Sequence, residues 1–161
     1  MIIQLRQVKA TGHPRPVVAF EATDQSWKIF TYHSDSHNFF ESAKALQKLD
    51  RDKFQLCIVN LGKRCKSGQP LKEVYDEKKL HEACKFKFKD ETGSYQDDNI
   101  YRIRQDDLRL YFIYKPPKKE IILLDVFTKR KDKLSQGEIK RLQNLARSIR
   151  SFEYNHDIQY S

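Results

Sequence analysis

Three arginines, a tyrosine and a basic run are the side chains of this 161-residue chain whose types and spacing could do chemistry. Arg102 and Arg104 stand two apart in Ile100-Tyr101-Arg102-Ile103-Arg104, as do Arg109 and Tyr111 in Leu108-Arg109-Leu110-Tyr111-Phe112. A strand sends residues i and i+2 to the same face, so each pair projects together if both runs are strands. Lys129, Arg130 and Lys131 follow a third, strongly apolar run. Guanidinium and ammonium groups gathered on one surface bind phosphate oxygens, and arginine offers two parallel N–H donors. Aromatic rings beside them can stack on unpaired bases. The wet face of an antiparallel sheet alternates in the same way, so the pattern alone leaves both readings open.

These groups belong to a basic chain, with 31 Lys+Arg against 22 Asp+Glu, a net charge of +9 and a pI of about 9.4. An anionic partner follows, and nucleic acid is the commonest one. The excess is spread along the chain and is not a disordered tail, and although 39% hydrophobic residues is low for a globular chain, 12% aromatic residues argue against disorder. The length suits a single domain over residues 1–161, with residues 1–26 as an N-terminal β extension and 27–161 as the core. No run approaches the roughly 18–20 apolar residues of a membrane span. The N-terminus also lacks the apolar stretch of a signal peptide, so a cytoplasmic protein is expected.

Cys57, Cys65 and Cys84 form no Cys-x-x-Cys pair and read as small buried thiols in a reducing compartment. His33 and His37 read as polar loop residues before a helix; His13, His81 and His156 are isolated and read as surface or packing residues. No metal site and no cofactor is expected, since glycine-rich phosphate loops, hydrolase triads and paired metal carboxylates are all missing from the sequence. Lys85, Lys87 and Lys89 alternate with phenylalanines. They read as a solvated strand edge, with Lys87 also able to extend a basic surface toward RNA.

The elements that must position these groups are partly visible. Residues 2–8, 17–20 and 27–32 read as strands. Asn38 and Glu41 suggest a capping box for a first helix, and Asp50 a cap for a second. Phe54, Cys57, Ile58 and Leu61 form its apolar stripe and Gly62 its stop, giving a helical hairpin. A helical turn is expected at residues 78–83, a strand at 85–89 and an acidic loop at 90–99. Residues 100–104, 108–114 and 121–127, joined by short turns, make an antiparallel meander. Ser135 and Glu138 cap a last helix with Ile139, Leu142, Leu145, Ala146, Ile149 and Phe152 on its apolar face. The fold class is therefore α+β. Helices on one sheet face would leave the cationic and aromatic side chains on the other.

The meander runs, with Leu124-Asp125-Val126-Phe127-Thr128-Lys129-Arg130, resemble the RelE/ParE/HigB toxin superfamily, in its phage-derived HigB-like group. The element order is similar over residues 27–150, while residues 1–26 and 63–99 depart from the compact pattern. The resemblance implies a RelE-like sheet and a type II toxin that cuts mRNA on the ribosome through attack of the 2′-hydroxyl on the adjacent phosphate, opposed by an antitoxin. It assigns the scissile phosphate to Arg109, although Leu108 replaces the usual aromatic. Transition-state and leaving-group roles fall to Lys129 and Arg130, and Arg102 and Arg104 match its two cationic positions on the first meander strand; Lys131 and Lys87 join them as candidate RNA contacts from the basic runs themselves. The family's C-terminal tyrosine has no counterpart; Gln136 falls near its place, and Tyr111 is the substitute. Two other readings share the scaffold: a ParE-like gyrase inhibitor, and a nucleic-acid- or partner-binding protein without chemistry.

Overall fold

The computed structural model describes residues 1–11, 18–19, 23–129 and 133–161. In chain order they form β1 (Ile3–Gln7), β2 (Ala10–Thr11), β3 (Val18–Ala19), β4 (Lys28–His33), α1 (Phe39–Lys44), α2 (Lys48–Cys65) and α3 (Leu71–Val74). There follow β5 (Leu80–Lys89), β6 (Tyr95–Gln105), β7 (Leu108–Tyr114), β8 (Glu120–Thr128), α4 (Gln136–Arg150), a 3-10 turn (Phe152–Asp157) and β9 (Ile158–Tyr160). Seven strands make a mixed sheet in the order β5-β6-β7-β8-β4-β1-β9, and β2 pairs with β3 separately. β5 to β8 are antiparallel neighbours, and β4 runs parallel to β8. β1 lies inside this sheet, between β4 and β9. The N-terminal segment, expected outside the core, thus supplies it with a strand whose Ile3 and Leu5 are buried.

The near-continuous apolar runs of β7 and β8 are explained by cover on both faces. One face carries Ile103, Leu110, Phe112, Ile121 and Leu123 and packs on α1, α2 and α3. The opposite face carries Phe86, Phe88, Ile100, Ile113 and Ile122 and packs on Leu142, Leu145, Ala146 and Ile149 of α4. The expectation of helices on one face only is corrected: the second face is itself apolar over most of its area, and α4 closes it. Ile139 is half-buried on α4, and Phe152 lies beyond the helix and is exposed.

Local expectations divide by how local their cause is. Ser135 and Glu138 form the full capping box of α4. Asn38 caps α1 by accepting from Phe40 and Glu41 amides, while Glu41 reaches forward to Lys44 at 3.6 Å instead of back. Asp50 caps nothing; it lies within the first turn of α2 and accepts from Thr128 Oγ1 at 3.0 Å. Gly62 does not stop α2. The helix ends at Cys65, whose carbonyl accepts from the Trp27 and Gly68 amides, and Gly68 holds the positive φ of +71°. A side chain at Gly68 would meet the Gln25 carbonyl oxygen at 1.8 Å. Residues 78–83 are not a helical turn but the entry to β5, and β6 starts at Tyr95 within the supposed acidic loop. The turn left between them is tied by Asp90, which accepts from Thr92, Ser94 and Gln96 and whose carboxyl is thereby held at about 2.

β5 is a sheet edge, and α4 protects it as its lysines do. Gln143 Nε2 donates to the Lys85 carbonyl at 2.8 Å and Arg147 Nε to the Lys87 carbonyl at 2.9 Å. Among the described residues, no helix is long and apolar enough to cross a membrane.

His33, at the end of β4, is buried between Thr31 and Asn38. Burial, then repulsion from Arg6, holds its imidazole below the ordinary 6.5. The unfolded chain therefore binds the proton more readily, so His33 adds stability above the unfolded value that is lost as pH falls through the folded one. Urea unfolding should show wild type losing more stability between pH 7.5 and 5.5 than His33→Gln; equal losses would contradict this assignment.

Candidate phosphate-binding site

The meander brings most of the sequence-selected groups to one face, and it is the face under α4. Successive registers align His81 of β5 with Arg102 of β6, Arg102 with Tyr111 of β7, and Tyr111 with Asp125 of β8. The next row toward the strand ends is Arg104, Arg109 and Phe127. A polar ladder thus crosses four strands beneath the first turns of a helix.

Two β-bulges build this ladder. In β5 the register shifts between Glu82 and Cys84, and between β7 and β8 it shifts after Tyr111, leaving Leu124 unmatched. Strict alternation would put His81 and Phe86, or Ile122 and Asp125, on opposite faces. An extra residue resets the alternation, so all four point toward α4.

The row is largely out of water: relative exposure is 6% for Arg102, 3% for Arg109, 0% for Tyr111 and 2% for Asp125. Buried charges require partners, and these have them. Arg141 of α4 reaches Asp125 Oδ2 at 2.6 Å, and the Asp125 Oδ1 atom accepts from the Val126 amide at 2.9 Å. Arg109 Nη1 donates to the Asp106 and Leu108 carbonyls at 2.5 and 3.1 Å. Arg102 Nη2 donates to His81 Nε2. His37 Nε2 donates to the Leu124 carbonyl, freed by the bulge, at 2.8 Å. Lys129 Nζ donates to Glu138 Oε1 at 2.8 Å. Burial pushes the Glu138 carboxyl up, but hydrogen bonds from Lys129 and Ser135 outweigh it and hold it below the usual range.

Exposure divides the cluster. Arg104 and His81 face solvent at the β5–β6 end, and the Arg104 Nε atom also reaches the Asp106 carbonyl at 3.4 Å. At the other side Asp125 and Arg141 line a cleft of about 430 Å³ with Ser42, Gln47 and Asp50. Tyr111 lies between them, fully enclosed, stacked on Phe127 at 4.9 Å, its hydroxyl without a hydrogen-bond partner among the described residues. Burial pushes that phenol far up, against the pull of the Arg102 guanidinium.

Of the residues singled out from sequence, Arg102, Arg104, Arg109 and Tyr111 therefore share one face. Lys129 follows β8 and is held by Glu138 of α4. Lys87 does not join them: it stands opposite Asp97 on the β5 edge and, between Phe86 and Phe88, points away from α4. Arg130 and Lys131 lie outside the described residues. His81, Asp125, Glu138 and Arg141 went unrecognised as members of the cluster. Only Asp125 left a sign in the sequence, as the one carboxylate within the apolar run 121–127. Among the described residues no group of three His, Cys, Asp or Glu side chains is placed to hold a metal ion. The buried thiols of Cys57 and Cys65 are both pushed up to about 12.

In comparisons with known proteins, no family model, no curated protein and no solved structure matches this chain.

An unpaired buried hydroxyl costs free energy that phenylalanine would not. Tyr111→Phe is expected to leave stability unchanged or raise it by about 1 kcal/mol in urea unfolding. A loss of more than about 1 kcal/mol would mean that the hydroxyl is bonded in solution.

Proposed function

We propose that this chain is an RNA-directed toxin of the RelE/HigB kind, an mRNA endonuclease paired with an antitoxin. The observation that carries the reading is the in-register convergence of Arg102, Arg104 and Arg109 from adjacent strands, with the solvent-facing His81 beside them. The order of strand, two helices, meander and capped helix supports it. So does the basic charge of the whole chain.

The proposed chemistry is internal displacement at phosphorus. The RNA 2′-oxygen attacks, a pentacoordinate phosphorane with extra negative charge forms, and the 5′-oxygen leaves. Preorganised cations stabilise that charge more strongly at a partly dry surface than in water. Arg104 is the cation most open to an incoming phosphate. Arg102 and Arg109 sit behind it, their positions fixed by carbonyl and imidazole acceptors. The antitoxin is assigned to the other side of the sheet. There a groove of about 820 Å³ is lined by Phe39, Phe40 and Phe54 together with Lys44, Lys48 and Arg51, suiting an acidic amphipathic segment.

A second reading has its own support. The enclosure of Tyr111 and the pairing of Lys129 with Glu138 fit a nucleic-acid-binding protein that holds RNA without cutting it.

Arg104→Ala separates these outcomes, because Arg104 is exposed and its loss should leave the fold intact. With wild-type chain expressed, mapped mRNA 5′ ends should show cuts at fixed positions within codons, reduced at least about tenfold in the variant. Intact mRNA with wild type, together with RNA binding that Arg104→Ala weakens, would replace cleavage by the second reading.

A further inference from the structure

We propose that His81 is the general base that takes the 2′-hydroxyl proton, a role resting on the endonuclease reading above. His81 is brought to the site by the β5 bulge, directly opposite Arg102. Its ring is exposed, unlike that of Tyr111, so an RNA strand can reach it.

The hydrogen bonds fix the state of the imidazole. A guanidinium has only N–H donors, so His81 Nε2 must present its lone pair to Arg102. The proton of the neutral ring is then on Nδ1, which donates to the Glu82 carbonyl at 3.1 Å. The ring is thereby oriented with its basic nitrogen toward Arg102, which engages the lone pair as long as no other acceptor draws the guanidinium away. A base oriented through its other nitrogen is also the arrangement of the hydrolytic triads.

Phosphate and imidazole compete for the same donor. An RNA phosphate beside Arg104 would draw the Arg102 guanidinium, because a charged acceptor bonds it more strongly than a neutral ring. The Nε2 lone pair is then released next to the 2′-hydroxyl. The proton passes from O2′ to Nε2 while the O2′–P bond forms and the P–O5′ bond breaks. The departing 5′-oxygen takes a proton from water, and the imidazolium returns its own to the hydroxide so formed. The products are a 2′,3′-cyclic phosphate and a 5′-hydroxyl, with no atom gained or lost.

Other charged groups bear on the same ring. Arg102 faces it from β6, and Arg104 stands two residues further along that strand. Glu82 is its neighbour on β5, its carboxylate accepting from Asn99 Nδ2 at 3.2 Å. The two guanidinium groups cannot accept a proton, and the Glu82 carboxylate is engaged by Asn99 and, as the next residue of the strand, is turned away from the arginines.

The test uses the full chain and a synthetic RNA, followed in single-turnover cleavage with and without added imidazole. Wild type should cleave. His81→Ala should be slower by about 100-fold or more, with RNA affinity changed less than threefold, and imidazole should restore part of the rate. His81→Gln keeps an acceptor for Arg102 but no base, so it should be equally slow and gain nothing from imidazole. Full activity in His81→Gln, or in His81→Ala without imidazole, would overturn the role. A loss in His81→Ala that imidazole does not relieve would do the same and leave His81 as a positioning residue. A wild type that cuts no RNA, free or on ribosomes, would overturn the endonuclease reading and this role with it.

Discussion

The closing of α4 over a sheet face that carries charge is the constraint on which the rest of the structure depends. Leu142, Leu145 and Ile149 are buried there, each stabilising the packing by roughly 1.5–3 kcal/mol. The same closure takes Arg102, Arg109 and Asp125 out of water, and an unpaired charge at such a place would cost several kcal/mol. The two demands are met together because α4 supplies an answering group. Arg141 meets Asp125 from the helix, one turn after Glu138 meets Lys129. The helix is thus docked by apolar contacts along its length and oriented by two ion pairs near its start. Ion pairs of this kind contribute little net stability against a hydrophobic alternative. Both sit at the rim of the apolar contact, with Arg141 half exposed, so their part is to orient the helix over the sheet.

Both bulges serve that support. β8 could have run through as a regular strand, with Ile122 and Leu124 toward α4 and Asp125 turned to the other face beside Leu123. Leu124 as an extra residue turns Asp125 to Arg141 and gives its own carbonyl to His37. The irregularity after Glu82 does the same for His81 opposite Arg102. A ladder from His81 to Asp125 then links a solvent-facing edge to the cleft beside α2 through four consecutive strands. Arg102 is held at the His81 end of this row by the imidazole, and at the other end Asp125 is held by Arg141.

The parts of this arrangement with local causes could be read from the sequence. The meander was legible because its turns are short and its alternation is strong, and the Ser135 cap because both its partners lie within one turn. Arg102 with Arg104, and Arg109 with Tyr111, were correctly paired on their own strands for the same reason. What could not be read has non-local causes. The sharing of one face by both pairs depends on register between strands. His81 and Asp125 depend on bulges, which leave no alternation to detect. Whether that face is open or covered depends on where α4 lands, which its own amphipathic stripe does not say. Gly62 was the plausible stop for α2, yet the helix end is set by contacts of Cys65 with Trp27 and Gly68. β1 joined the sheet through pairing with β4 and with the far C-terminus, neither of which its short apolar run could announce.

The central claim is that the arginines at the β5–β6 end of the meander hold RNA phosphates. The salt dependence of RNA affinity tests it most directly, since each phosphate neutralised on a single strand contributes about −0.7 to the slope of log K against log salt. For wild type and Arg104→Ala, measured on the same single-stranded RNA, the account predicts weaker binding by the variant and a slope shallower by roughly that amount. Equal affinities and equal slopes would contradict it, and would move the anionic partner of this basic chain to another surface.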